Sequence, residues 1–237
     1  MDSLTEFFTG ISNQRTNSLN DGLMGTSFKN PYIDQMYQYQ DIIITSDNKD
    51  KFREQNLPGA EKEIIVDLGC GSGNFLRDYA RIKPHSQFIG FELRFKRLVK
   101  GAIKLRKHGV TNVRLIRAKA EEIASWIKPN SVYEINVNFP DPWAKKRQLK
   151  HRLITSEYLT TIHSLLIKKG FFVFKTDHKE YFDQVNDLLR QQTNLDVIEY
   201  SEDLHQSEFN AENIPTEFEL LFKGKGYPVY YLKSQNQ

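Results

Sequence analysis

Glu63-Ile-Ile-Val-Asp-Leu68 runs directly into Gly69-Cys-Gly-Ser-Gly73 and then into Asn74-Phe-Leu-Arg-Asp-Tyr-Ala-Arg-Ile82. The first piece is a short apolar run, the second a cluster of glycines, and the third has helical spacing, so together they read as strand, tight turn and helix. The pattern then recurs. Gln87-Phe-Ile-Gly-Phe-Glu92 reads as a second strand, and Leu93 to His108 as a helix with Phe95, Leu98, Val99 and Ala102 on one stripe. Val113-Arg-Leu-Ile116, Val132-Tyr-Glu-Ile-Asn-Val-Asn138 and Gly170-Phe-Phe-Val-Phe-Lys175 follow as strands, separated by helical segments near 120–127 and 153–168. After a helix from Lys179 to Gln191, Asp196-Val-Ile-Glu-Tyr200 and Pro228-Val-Tyr-Tyr-Leu232 supply the last two strands. Strands alternating with helices predict an α/β fold with a doubly wound, mostly parallel sheet of seven strands.

Residues 1–60 are polar, with Tyr32, Tyr37 and Tyr39 among Asn, Gln, Ser and Asp, and have little periodicity. They are expected to form an N-terminal extension of open function, with the folded domain at 61–237. A length of 237 residues, 39% hydrophobic and 27% charged, suits one sizeable core. No run of eighteen apolar residues occurs, and MDSLTEFFTGISNQRTNS lacks a basic n-region and an apolar h-region. Neither a membrane span nor a signal peptide is expected, and the location implied is cytoplasmic. One cysteine, Cys70, excludes an internal disulfide and a multi-cysteine zinc site, and the six histidines show no ligand spacing, so no metal is implied.

A net charge of +3 says little, but its distribution says more. From Arg94 to Lys119 there is no acidic residue, and a second basic run covers Lys145 to Arg152. Two such clusters point to a polyanionic partner.

Glycines at 69, 71 and 73 allow a tight turn and let a ligand approach the backbone where a Cβ would collide. A dinucleotide enzyme would place its third glycine at position 74, where this chain has Asn74, so the spacing favours a ligand without a pyrophosphate. Asp67 just before the turn, and Glu92 at the end of the second strand where an acid would take ribose hydroxyls, are features that recur in folds binding S-adenosylmethionine. The competing reading is a plain strand–helix connector beside a solvated strand end, with Cys70 a small filler.

A second motif, Asn138-Phe-Pro-Asp-Pro-Trp143, follows the fourth strand at the carboxyl edge, where doubly wound folds place their sites. Two prolines around Asp141 fix the backbone and set its carboxylate toward the cleft. Trp143 is open between core packing and base stacking. Lys145, Lys146, Arg147, Lys150, His151 and Arg152 come next and suit phosphates without reading sequence. The alternative is a proline turn followed by a solvated helix face.

The succession VDLGCGSG, GFEL, NFPDPWAKKRQLKHRLI, FKTD and TEFEL, spanning residues 63–232, resembles the bacterial tRNA (guanine-N7)-methyltransferases, whose fourth-strand pattern is FPDPW-x-KKR-x-x-K-R-R-L. The resemblance implies a Rossmann-like class I methyltransferase fold with a C-terminal antiparallel strand. It also implies S-adenosylmethionine as cofactor and a variable-loop guanine of tRNA as target, with no obligate protein partner and with a homodimer compatible. By the resemblance, Asp67, Gly69, Gly71, Gly73, Glu92, Lys119 and Asp141 line the cofactor site, and Asp141 is also catalytic. Lys145, Asp177, Thr216, Glu217, Phe218 and Glu219 would hold the guanosine, while the basic groups Lys104, Lys146, Arg147, Lys150 and Arg152 are expected along the RNA backbone. The chain departs from the family at Lys119, where an acidic or amide residue is usual, and at His151, where arginine is common. Residues 1–60 match nothing in the family pattern.

Guanine N7 carries a lone pair and no proton, so methyl transfer to it needs no base. In-line placement, worth on the order of 7–11 kcal/mol, should dominate. Positive charge develops on the purine, and a carboxylate such as Asp141 can stabilise it. An exocyclic amino methyltransferase, or a non-catalytic RNA-binding protein on this fold, are the alternative readings.

Overall fold

Ile64–Leu68 forms the expected strand and lies near the middle of an eight-stranded sheet. The computed structural model describes residues 30–55, 62–191 and 194–237. In chain order the strands are β1 (Ile43–Ile44), β2 (Ile64–Leu68), β3 (Gln87–Phe91), β4 (Val113–Ile116), β5 (Val132–Asn138), β6 (Leu166–Thr176), β7 (Leu195–Ser201) and β8 (Tyr230–Asn236). They lie in the order β1-β4-β3-β2-β5-β6-β8-β7, with β8 antiparallel to both neighbours and the other pairings parallel. The seven expected strands are present; β1 is additional.

The helices among the described residues are α1 (Pro31–Met36), α2 (Lys49–Gln55), α3 (Asn74–Ile82), α4 (Phe95–Lys107), α5 (Ile123–Trp126), α6 (Ser156–Leu165), α7 (Lys179–Gln191) and α8 (Glu217–Gly224). Every residue of β2 is buried because helices cover both faces of the sheet, which explains a continuous apolar run in place of alternation. Ile64, Val66 and Leu68 pack with residues of α2, α5, α6 and α7, whereas Ile65 packs with α1, α3 and α4. By the period of two, Asp67 shares the face of Ile65 and is the one carboxylate in the strand. A Cβ at Gly90 would come within 2.4 Å of Leu76 Cδ1 and 2.6 Å of Cys70 Sγ, so α3 presses hard on β3 and Cys70 is a buried filler.

The extension was expected to end near residue 60, but the compact unit runs from Tyr32 to Gln237. Ile43 and Ile44 pair with Leu115 and Ile116 at the sheet edge, and Met36, Ile42 and Phe52 are buried in the core. Arg106 reinforces the join by pairing with Asp41 at 2.8 Å and covering the Tyr39 ring. Residues 1–29 and 56–61 lie outside the described residues.

The strand order reverses between β2 and β5. Their carboxyl ends therefore open a crevice at the topological switch point, where this class of sheet binds ligands.

Candidate active site

Three glycines shape the floor of that crevice. Gly69, Gly71 and Gly73 have φ of +80°, +56° and +71°, values costly for other L-residues. A Cβ at Gly69 or Gly71 would meet nothing within 4 Å, so the turn presents an open shelf of backbone. The turn is pinned from below, because Gly69 N–H and Cys70 N–H both donate to Phe91 O at 2.9 Å.

Acids flank the shelf. Asp67 is 2% exposed and accepts a hydrogen bond from Asn138 Nδ2 at 3.1 Å. Burial pushes its carboxyl from the ordinary 3.8 up to about 7, against the opposing pull of that hydrogen bond and of Lys175, with Glu92 adding to the rise. Glu92, at the end of β3, accepts from Arg94 N–H at 2.8 Å and lies 3.4 Å from Arg97. Asn138 Oδ1 is buried and lacks a hydrogen-bond partner among the described residues. An open glycine shelf, two acids and an orphaned acceptor fit the amino group and ribose hydroxyls of S-adenosylmethionine.

The Asp67 shift has a measurable consequence. A carboxyl with a higher pKa folded than unfolded holds more protons in the folded state between pH 4 and 7. Its contribution to stability is therefore full below about pH 4 and is lost as pH rises to about 7, by at most about 4 kcal/mol. In the cofactor-free protein, the Tm advantage of Asp67→Asn over the native chain should grow from pH 5 to 7 and then level off. A constant difference would contradict the shifted carboxyl.

The proline loop continues β5. Phe139 and Trp143, on either side of Pro140-Asp141-Pro142, have φ of +51° and +44°, strained values that persist only where the surroundings enforce them. The enforcing contacts are visible. Phe139 N–H donates to Lys175 O at 2.8 Å, and the Phe139 ring stacks on Phe222 at 5.6 Å with Phe218 at 6.4 Å. On the far side Arg152 Nε donates to Pro142 O at 2.8 Å. Asp141 is exposed between these anchors, and its carboxylate has no hydrogen bond among the described residues. Trp143 is half-buried against His151 at 5.4 Å.

The strand register brings several expected residues to one edge. Leu68 pairs with Phe91 and Val137, and Asn138 with Lys175, so the segments carrying Asp67, Glu92, Asp141 and Asp177 leave adjacent strands. Lys119, Lys145, Lys146, Arg147, Lys150 and Asp177 are exposed.

Four expectations need correction. Arg152 is 4% exposed, bonds Gln184 and Pro142 and covers the Tyr181 ring, so it clamps the loop and does not face RNA phosphate. Glu219 is fully buried: it pairs with Lys175 at 3.2 Å, accepts from Asn213 and accepts Thr216 N–H at 3.3 Å. Thr216 Oγ1 in turn accepts Glu219 N–H at 3.0 Å, completing a capping box at the start of α8, so neither side chain is free for a guanosine. Lys104 turns back onto the glycine turn, where it meets Glu217.

Asn138 and Lys175 were not singled out from sequence. Lys175 is 4% exposed, and burial lowers its pKa despite Glu219. The available signal was a polar residue within an apolar strand run.

Residues 61–232 match a family model described as "Putative methyltransferase". A bifunctional glycosyltransferase/methyltransferase of Fusobacterium nucleatum is 38% identical over 201 residues, 83% of this chain, and the chain spans 31% of that protein's length. The tRNA (guanine-N(7)-)-methyltransferases of Listeria welshimeri and Geobacillus kaustophilus are each 32% identical, covering 85% and 83% of this chain and 94% and 90% of their own. Among solved structures, a 16S rRNA methyltransferase, KamB, superposes with a TM-score of 0.58 at 15% identity, covering 81% of this chain and 94% of its own, a likeness of fold. With a family model over most of its length and relatives above 30% identity matched nearly end to end, this chain belongs to the tRNA (guanine-N(7)-)-methyltransferase family.

Proposed function

We propose that the chain transfers a methyl group from S-adenosylmethionine to N7 of a guanine in tRNA, with Asp141 as the catalytic carboxylate. The observation that carries this reading is an exposed carboxylate, without a partner among the described residues, on a strained, doubly anchored loop beside an open glycine shelf.

When bound, the cofactor supplies an electrophilic methyl on a sulfonium. The protein's part is orientation and electrostatics. Asp67, Glu92 and the glycine turn hold the cofactor, and Asn138 offers a buried acceptor beside Asp67. Asp141 faces the purine as it gains positive charge, and a fixed carboxylate stabilises that charge without reorganising. Phe218, 49% exposed beside Phe139, offers a face against which the guanine can pack. Asp177 and Lys145 are exposed and can meet the nucleotide. The reactive nitrogen has no proton to lose, so no general base is assigned.

The exposed Lys145, Lys146, Arg147 and Lys150 form the RNA-facing run, and Arg152 does not. Lys150→Ala should lower the slope of log Kd against log salt for tRNA by about 0.7–0.9, the effect of removing one charge from a phosphate. Arg152→Ala should leave that slope unchanged while lowering Tm. The reverse pattern would contradict the division.

Among the described residues no helix is long and apolar enough to cross a membrane. A cytoplasmic location suits a tRNA substrate.

The test is incubation of unmodified tRNA with methyl-labelled cofactor, followed by nucleoside analysis. The expected product is 7-methylguanosine. Label in N6-methyladenosine would instead favour the amino-methyltransferase reading.

A further inference from the structure

Ser72 of the glycine turn and one side chain from each of α3, α4 and α8 meet at that turn. Lys104 Nζ, from α4, donates to Ser72 Oγ at 2.9 Å and to Asn74 Oδ1 at 2.6 Å, and lies 3.4 Å from Glu217 Oε1 of α8. Ser72 Oγ donates to Glu217 Oε2 at 3.2 Å, and Asn74 Nδ2 donates to Glu217 Oε1. An ammonium has three protons, and here each has an acceptor. The lysine expected on the RNA path is therefore committed to the turn that carries Gly71 and Gly73.

The other end of this contact matters as much. Glu217 is the first residue of α8, whose buried Glu219 ties it to Lys175 at the end of β6. The next residue, Phe218, and Phe222 lie against Phe139, on the loop that carries Asp141. One short helix thus touches the cofactor turn through Glu217 and the catalytic loop through its aromatic rings. Its inner anchor, Glu219 on Lys175, is buried. Its outer contact is solvent-exposed, with side-chain exposures of 30% for Lys104 and 58% for Glu217, and so it can open and close.

We infer that Lys104 and Glu217 are positioning residues that clasp α8 to the cofactor turn and thereby couple cofactor binding to tRNA binding. The inference rests on the proposed reading that the cofactor lies on the glycine turn and the target base beside Asp141 and α8. A ligand that orders the turn closes the clasp and holds α8 against the Asp141 loop, so the second ligand meets a helix already in place. Reciprocity then requires tRNA to tighten cofactor binding by the same factor. An exposed multidentate contact supports a modest factor, about three- to fivefold.

The test is calorimetry with S-adenosylhomocysteine, which prevents turnover, with and without saturating unmodified tRNA transcript. The quantity read is the ratio of the two Kd values within each protein, which cancels any change in intrinsic affinity. The native chain should give a ratio of about three to five, and Glu217→Gln, Lys104→Met and the double variant should all give about one, with the double no worse than either single. Lys104→Met should also keep the native salt slope for tRNA. A native ratio of one, a native-like ratio in Glu217→Gln, or a slope reduced by about 0.7–0.9 in Lys104→Met would overturn the inference. A failure of N7 methylation itself would appear separately, as the wrong nucleoside from the native protein.

Discussion

Asp141→Ala is expected to lower kcat by about a hundredfold or more, the usual cost of removing one fixed group that stabilises transition-state charge. The loop should survive the change. Phe139 N–H, the Phe139 ring and the Pro142 carbonyl make the contacts that hold it, and the Asp141 carboxylate makes none among the described residues. Affinity for tRNA should stay within about threefold, because a carboxylate offers nothing attractive to phosphate. Asp141→Asn keeps the shape and deletes the charge, so it separates electrostatics from packing and should fall nearly as far as alanine. A kcat close to native in Asp141→Asn would remove the electrostatic role, and a large loss of tRNA affinity would move Asp141 from chemistry to RNA binding.

Glu219→Ala should act on the fold. It removes the ion-pair partner of Lys175, 4% exposed, leaving the ammonium only Asn213 Oδ1 and Ile214 O as acceptors, and it also breaks the capping box with Thr216. Removing one partner of a buried ion pair costs about 3–5 kcal/mol. Those two acceptors, and a cavity of about 360 Å³ lined by Lys175 through which water can reach the ammonium, place the expected loss in the lower part of that range. For a domain of this size that corresponds to a Tm fall of about 10 °C. A second variant, Glu219→Leu with Lys175→Met, removes both charges and should recover much of the loss, since apolar replacement of a buried pair is often neutral or better. A direct guanosine contact by Glu219 predicts something different: an unchanged Tm and a raised KM for tRNA. The two outcomes cannot be confused.

These predictions mark where the sequence was readable and where it was not. The β2–turn–α3 unit was plain, because a two-sided strand needs an unbroken apolar run and a turn with three positive φ values needs glycine. The Asp141 loop was readable for a similar reason, since prolines on both sides leave the backbone little choice. The strain at Phe139 and Trp143 was not, because neither residue prefers positive φ and the contacts that fix the loop come from other segments, Lys175 on Phe139 and Arg152 on Pro142. β1 escaped notice because two residues carry no period. The inward turn of Arg152 is not legible in the sequence, because a run of basic residues looks uniformly solvated and nothing local marks the one that turns inward. The role of Glu219 is legible: Thr216-Glu-Phe-Glu219 fits the Ser/Thr-x-x-Glu capping pattern, which places both side chains on backbone N–H groups.

The central claim is that the site orients a guanine N7 and needs no proton taken from it. The most direct test replaces that atom. A tRNA carrying 7-deazaguanine at the accepting position keeps its Watson–Crick edge and its shape but presents C–H where N7 was. The account predicts that this tRNA binds but accepts no methyl group, while the matched guanine tRNA is methylated; methyl transfer to the deaza tRNA at a comparable rate would contradict it.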